Sequence, residues 1–113
     1  MVWDWVEDQL IVTRPKYIVD EVMQPGDRIL KIRGQRWRLR FVANLGDAEG
    51  LCRKDERIIR IALGYPDERT MDSIIHEILH AALWDLDEEA VEETANAISA
   101  ALWRVGYRRE SGT

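Results

Sequence analysis

The stretch MDSIIHEILHAALW, residues 71–84, constrains the fold of this chain more than any other segment. Its apolar residues occupy most of the circumference of a helix, which leaves only a narrow polar stripe. That stripe consists of Ser73, His76, Glu77 and His80. A helix of this composition has to be covered by other parts of the fold. The sequence therefore predicts a largely buried helix from about Met71 to Trp84, capped at its start by Thr70 or Asp72.

Two segments before this helix have the patterns of β-hairpins. In RILKIRGQRWRLRFVAN, residues 28–44, Gly34 lies in a short connection after an apolar run. The second half alternates Arg36, Arg38 and Arg40 with Trp37, Leu39 and Phe41. Strict alternation predicts a strand with the apolar side chains in the core and the arginines in water. The second segment, GLCRKDERIIRIAL, has RKDE as its turn and ends in a strand rich in β-branched residues.

A second helix is predicted after the first, from about Asp87 to Val105. Asp85 and Glu88 have the capping-box spacing at its start, and Gly106 suits its C-terminal cap. The apolar stripe of this helix comprises Val91, Ala95, Ile98, Leu102 and Val105. The fold class is therefore α+β, with a small sheet of three or four strands made of hairpins, a motif helix and an antiparallel C-terminal helix. One domain is expected over residues 1–113.

The first 24 residues are harder to interpret. WDWVEDQLIV could form a short helix, YIVDEV could form a strand, and QPGD is a turn. The N-terminus lacks the basic start and long apolar run of a signal peptide, and no stretch approaches membrane-spanning length. Cys52 is the single cysteine, so an internal disulfide is excluded. With a net charge of −5, nucleic acid is not an expected partner. We expect a cytoplasmic protein without a membrane association.

The two histidines of the motif are the only ones in the chain. His76 and His80 are four residues apart, so they lie on one face of the helix and can bind one metal ion. Glu77 projects beside them and could hold a metal-bound water, as in other HExxH motifs. An ordinary polar helix face is the alternative interpretation. It is disfavoured because buried polar groups need partners, which a zinc ion and its water would provide.

A catalytic zinc site needs a third protein ligand. Cys52 is one possibility, although it lies in a predicted strand. The acidic candidates after the motif are Asp85, Asp87, Glu88, Glu89, Glu92 and Glu93. Glu92 is favoured because it lies about as far after the helical turn as His80 lies before it, and because it flanks the apolar stripe. Glu88 also flanks this stripe, but its capping-box position explains it without a metal.

HEILH followed by EETAN, residues 92–96, resembles the gluzincin metallopeptidases, whose third ligand is a glutamate in an E-x-x-A-N or E-x-x-A-D segment. In layout, residues 29–105 resemble small phage and bacterial relatives, the ImmA/IrrE-type and SprT-like families. The resemblance implies a minimal zincin-like domain that binds Zn²⁺. Its zinc ligands would be His76, His80 and Glu92, and its catalytic base would be Glu77.

The predicted activity is zinc-dependent hydrolysis of a peptide or protein substrate. The strand RIIRIAL, residues 57–63, is expected at the sheet edge beside the motif helix, where an extended peptide could pair with it. Tyr65, Tyr107 and Arg104 are candidates for stabilising the oxyanion. Asn96 could hydrogen-bond a metal ligand, or it could have no role. The alternative function is a non-catalytic binding or regulatory module, of phage origin, in which zinc only braces the fold.

Overall fold

The computed structural model describes residues 23–110, which form one mixed four-stranded sheet and two helices. In chain order the elements are β1 (Arg28–Ile32), β2 (Gln35–Val42), β3 (Gly50–Arg53), β4 (Ile58–Ala62), α1 (Asp67–Ala82) and α2 (Glu88–Arg104). The α+β class, both hairpins and the order of sheet before helices are confirmed. The interpretations of WDWVEDQLIV and YIVDEV lie outside the described residues.

Both hairpins are antiparallel, and they join through a parallel pair, so that the strand order is β1-β2-β4-β3. The prediction that RIIRIAL lies at the sheet edge is wrong, because β4 is an inner strand. Its side chains explain this position: Ile58, Ile59 and Ile61 are almost fully buried, as in strands covered on both faces. The edge strand beside the motif helix is β3, which packs against α1.

The prediction that the three arginines of β2 all face water is also wrong. Arg36 is exposed, but Arg38 retains only 7% of its accessible surface. The Arg38 guanidinium donates a hydrogen bond to the Glu56 carbonyl at 3.5 Å, on the turn between β3 and β4. Arg40 makes a bidentate ion pair with Asp27, with both bonds at 2.9 Å. Alternation predicts which side chains share a face of the strand, but it does not predict whether tertiary contacts bury that face.

The main core lies between the sheet and α1. Its buried residues are Ile32, Trp37, Leu39, Ile59, Ile61 and Ala81. Among the described elements, the second helix, α2, packs on α1 alone, through the fully buried Val91 and Ala95. The outer part of its predicted apolar stripe is not covered, since Ile98 is 39% and Val105 71% exposed. The contact with α1 therefore buries a narrower apolar stripe of α2 than the sequence suggested.

The first helix begins at Asp67 and ends at Ala82, against the predicted Met71 and Trp84, whereas both ends of α2 agree with the prediction to within one residue. Thr70 and Asp72 lie inside α1, which begins after Pro66, so neither is its cap. The cap of α2 is Asp87, whose carboxylate accepts a hydrogen bond from the Ala90 N–H at 2.7 Å, and the prediction of Asp85 was wrong.

Gly106 ends α2 as predicted. Its φ of +101° is in the left-handed region that favours glycine. The Gly106 N–H donates to the Trp103 carbonyl at 3.1 Å, and the Tyr107 N–H donates to the Leu102 carbonyl at 3.0 Å. These two bonds form a Schellman motif. Within residues 23–110, no helix combines the length and the apolar character needed to cross a membrane.

Candidate metal centre

The histidines of the motif meet a glutamate from the first turn of α2. The His76 Nε2 atom lies 3.2 Å from the His80 Nε2 atom. The Glu88 carboxylate bridges them, with Oε2 at 3.1 Å from His76 Nε2 and Oε1 at 3.0 Å from His80 Nε2. Among the described residues, this is the group of three whose ligand atoms converge closely enough for a metal ion.

The three groups are of the types that bind zinc in proteins. With ligand bonds of about 2.0–2.1 Å, tetrahedral coordination holds the ligand atoms about 3.3 Å apart. The two Nε2 atoms lie 3.2 Å apart, and each lies 3.0–3.1 Å from a different oxygen of Glu88. With one ligand atom taken from each residue, the three atoms lie within 4.8 Å of one another. Two imidazoles and one carboxylate are also a common ligand set for catalytic zinc, and they leave the fourth position to water. His76, His80 and Glu88 could therefore hold one such ion.

The structure does not bring Glu92 to the histidines, although Glu92 lies one helical turn after Glu88 on the same side of α2. The argument for Glu92 assumed that α1 continues to Trp84, but this helix ends at Ala82. The shorter helix moves the position opposite His80 towards the start of α2. Helical side chains also lean towards the N-terminus, so a first-turn glutamate reaches the histidines.

Glu77 is buried beside the metal centre. Only 8% of its surface is accessible, and its side chain lies against the backbone of Gly50 at the start of β3. A Cβ atom at position 50 would lie 2.9 Å from Glu77 Cγ, so the approach requires glycine. Burial raises the pKa of Glu77 to about 7, the nearby His76 opposes this shift, and Glu88 adds to it. A carboxyl group with this pKa can accept and return a proton near neutral pH.

His80 is kept in the form that binds metals. Burial lowers the pKa of its imidazole, and His76 lowers it further, while the Glu88 carboxylate opposes both. A lowered pKa favours the neutral ring at physiological pH. Since a metal binds only the neutral imidazole, His80 can bind without first losing a proton.

A cleft of about 340 Å³ opens between the edge strand β3 and the C-terminal half of α1. It is lined by Gly50, Leu51, Cys52, Lys54, Glu77, His80 and Trp84. Cys52 reaches this cleft but is not part of the metal centre. Burial, followed by the charge of Glu77, raises the pKa of the Cys52 thiol to about 12, which disfavours the thiolate that zinc needs.

The edge of β3 carries backbone groups that point away from β4. The Ala62 N–H donates to the Glu49 carbonyl at 3.0 Å, which makes these two residues a hydrogen-bonded pair. In an antiparallel ladder such pairs alternate with non-bonded ones. By the observed register, Gly50 and Cys52 are then the residues whose N–H and C=O groups point away from β4, to the side on which no other strand of residues 23–110 pairs with β3. This edge borders the cleft that contains Glu77.

Asn96 does not contact the metal centre and instead joins the two helices. With its amide nitrogen turned towards Asp72, it donates to Oδ1 at 2.8 Å and to Oδ2 at 3.3 Å. The buried Ser99 hydroxyl donates to the same Oδ1 atom at 3.0 Å. Asp72 lies one turn before His76 on α1, so these bonds hold α2 against the helix that carries both histidines.

The three candidates for oxyanion stabilisation do not line the cleft. Tyr65 precedes α1 and stacks with Arg69, whose guanidinium carbon lies 5.0 Å from the ring centroid. Arg104 and Tyr107 are at the far end of α2, about 24 Å along the helix from Glu88 at 1.5 Å per residue. Tyr107 lines a separate apolar cavity with Phe41 and Trp103.

Glu88 was ranked behind Glu92 by the sequence analysis, and Gly50 was missed. Glu88 was set aside as part of a capping box with Asp85, although Asp87 has an equally suitable side chain directly before the acidic pair. Gly50 received no role, although a glycine at the start of a strand is a known sign of close approach by another group. Both signals were present in the sequence, but their meaning depended on long-range contacts.

Comparisons of this chain with protein-family models, with curated proteins and with solved structures found no match.

Proposed function

We propose that this protein is a zinc-dependent metallopeptidase with a minimal zincin-like fold. One observation carries the proposal: the ligand atoms of His76, His80 and Glu88 lie within 4.8 Å of one another, and a buried carboxylate, Glu77, adjoins them. A site that only braced a fold would not need that carboxylate, whose burial without a partner is costly. No side-chain hydrogen bond to Glu77 occurs within residues 23–110.

The residues of the chain divide the chemistry between them. Zinc bound at this centre would supply Lewis acidity to a water and to the scissile carbonyl. His76, His80 and Glu88 would hold the ion. Glu77 takes a proton from the attacking water at its carboxylate and passes it to the leaving amine. Its raised pKa suits both transfers near neutral pH.

The substrate is an extended peptide that pairs with β3. The outward N–H and C=O groups of Gly50 and Cys52 can hydrogen-bond to such a peptide as a further strand. This mode aligns the peptide backbone with the cleft in which Glu77 and His80 lie. The edge strand thus takes the role that the sequence had suggested for β4.

The test compares wild type with Glu77→Gln, using an unstructured protein or a mixture of fluorogenic peptides as substrate. Glu77→Gln should retain stoichiometric zinc and lose at least about 99% of the hydrolysis rate, as expected for removal of a general base. Glu92→Gln is the matched control and should cleave like wild type. Hydrolysis by Glu77→Gln at the wild-type rate would refute the assignment of the base.

The same experiment separates the peptidase from the zinc-braced module. If wild type binds zinc tightly and cleaves none of the substrates, the brace is the better interpretation. In that case removal of zinc by a chelator should still lower the melting temperature, because metal binding contributes to folding free energy.

A further inference from the structure

Trp84 lines the cleft beside the metal centre although it lies in the connection between the two helices. It is 44% exposed, so much of the indole is open to solvent. The other apolar residues that line this cleft are Leu51 and Cys52 of the edge strand. An exposed aromatic residue is ordinary by itself, but here it borders the cavity that also contains Glu77 and His80.

Two basic side chains hold the indole in place. The Lys54 Nζ atom lies 3.0 Å from the centroid of the Trp84 ring, and the Arg33 Cζ atom lies 5.6 Å from it. Cations at these distances are attracted to the face of an aromatic ring. Lys54 comes from the turn between β3 and β4, and Arg33 from the turn between β1 and β2. Contacts with two separate hairpins fix the indole relative to the sheet.

Arg33 occupies a backbone position that favours glycine or asparagine. Its φ is +51°, and the following Gly34 has a φ of +80°, as in the two-residue turns of tight hairpins. The side chain of Arg33 connects this strained turn to the end of α1, since its guanidinium donates to the Ala82 carbonyl at 3.1 Å. The same guanidinium contacts Trp84. Strained positions of this kind tend to occur where a side chain has a role in a site.

From this arrangement we infer that Trp84 is the specificity-determining wall of a subsite that accepts a bulky apolar side chain of the peptide substrate. The inference rests on the proposed peptidase function. Trp84, Leu51 and Cys52 supply the apolar surface, and the pre-positioned indole loses little freedom when a ligand binds. The ammonium group of Lys54 at the same wall disfavours a basic side chain in this subsite.

The test uses peptides that differ only at single positions flanking the cleaved bond, with Leu, Ala or Lys at the varied position. At one of these positions, kcat/KM of wild type should be about tenfold higher for Leu than for Ala, which is at the low end of the discrimination expected from an apolar pocket. The Lys peptide should be cleaved most slowly. Trp84→Ala should reduce the Leu/Ala ratio to about one while its zinc content stays unchanged. Trp84→Phe should retain most of the preference.

Leu86→Ala is the matched control, because Leu86 is a similarly exposed residue of the same connection that does not line the cleft. It should keep the wild-type ratio. A Leu/Ala ratio that is unchanged in Trp84→Ala, or a wild-type enzyme without preference at any flanking position, would overturn the assignment of the subsite.

A binding series separates this inference from the proposed function. Equilibrium binding of the same peptides, fluorescently labelled, is measured with two zinc-loaded proteins. One carries Glu77→Gln alone, and the other carries Glu77→Gln together with Trp84→Ala. If wild type cleaves no peptide, the peptidase proposal fails, and the binding series still decides the subsite. Tighter binding of the Leu peptide that is lost with Trp84→Ala supports it, whereas equal binding of the three peptides refutes it.

Discussion

Replacing Glu88 by Gln removes the charge of one proposed zinc ligand and leaves the helix around it nearly unchanged, since Glu and Gln have similar helix propensities. The side chain of Glu88 is 65% exposed, so its ion pairs with the two histidines contribute only about 0–1 kcal/mol without metal. Its position in the first turn of α2 adds a few tenths of a kcal/mol through the helix dipole. The metal-free variant should therefore be almost as stable as metal-free wild type.

The effect on zinc should be much larger. Zinc sites in small domains bind with at least about 10 kcal/mol, and an equal share for each of three ligands is about 3 kcal/mol. Loss of that share corresponds to roughly a hundredfold weaker binding. At a fixed excess of zinc, a hundredfold higher Kd removes about 2.7 kcal/mol of zinc-dependent stabilisation. The main difference from wild type should thus be that zinc raises the free energy of unfolding of Glu88→Gln by much less.

The assay is a competition titration against a chromogenic chelator at neutral pH, combined with chemical unfolding with and without zinc. Glu92→Gln is the matched control, because it makes the same substitution one helical turn away and should bind zinc like wild type. If Glu92→Gln loses zinc and Glu88→Gln retains it at wild-type affinity, the assignment of the third ligand is wrong.

Three further predictions concern positions around the site and at the sheet edge. Gly50→Ala should displace the Glu77 side chain and slow peptide hydrolysis by about tenfold or more while zinc affinity is retained, which kinetics and a zinc titration would check. The Arg40 hydrogen bond lowers the pKa of Asp27 below its usual value of 3.8, so the pair stabilises the fold above that pH and loses this stabilisation as pH falls through the lowered pKa. The free energy of unfolding should fall less between neutral and acid pH in Asp27→Asn than in wild type. At pH 7 the substitution should lower this free energy by about 2 kcal/mol, and equal stability of the two proteins at pH 7 would contradict the prediction. Asp87→Ala should cost about 1 kcal/mol through the lost N-cap of α2, measured by urea unfolding, and an unchanged midpoint would count against the cap.

Local interactions explain what the sequence determined by itself. The alternation around Trp37 and the turn at Gly34 predicted the first hairpin, because a period of two and a tight connection are properties of neighbouring residues. The spacing of His76 and His80 placed both imidazoles on one helix face by the same kind of reasoning. Gly106 ended α2 because its φ of +101° favours glycine, whatever the rest of the fold contains.

The tertiary structure decided everything that depended on which distant segments meet. The sequence could not show that β2 pairs with β4 and leaves β3 at the edge, since both hairpins carry similar patterns. It could not show that Arg38 would be buried and would donate to the Glu56 carbonyl, because alternation says nothing about which groups lie next to a face of the strand.

The choice between Glu88 and Glu92 also depended on which distant segments meet. The two glutamates share one side of α2 and differ by a single turn, so helical periodicity fits both equally well. The end of α1 at Ala82 and the path of the connecting residues determined which of them meets the histidines. A shift of two residues in a helix end, small in the sequence, moves the facing position by about 3 Å at 1.5 Å per residue, which is enough to bring Glu88 rather than Glu92 to the histidines.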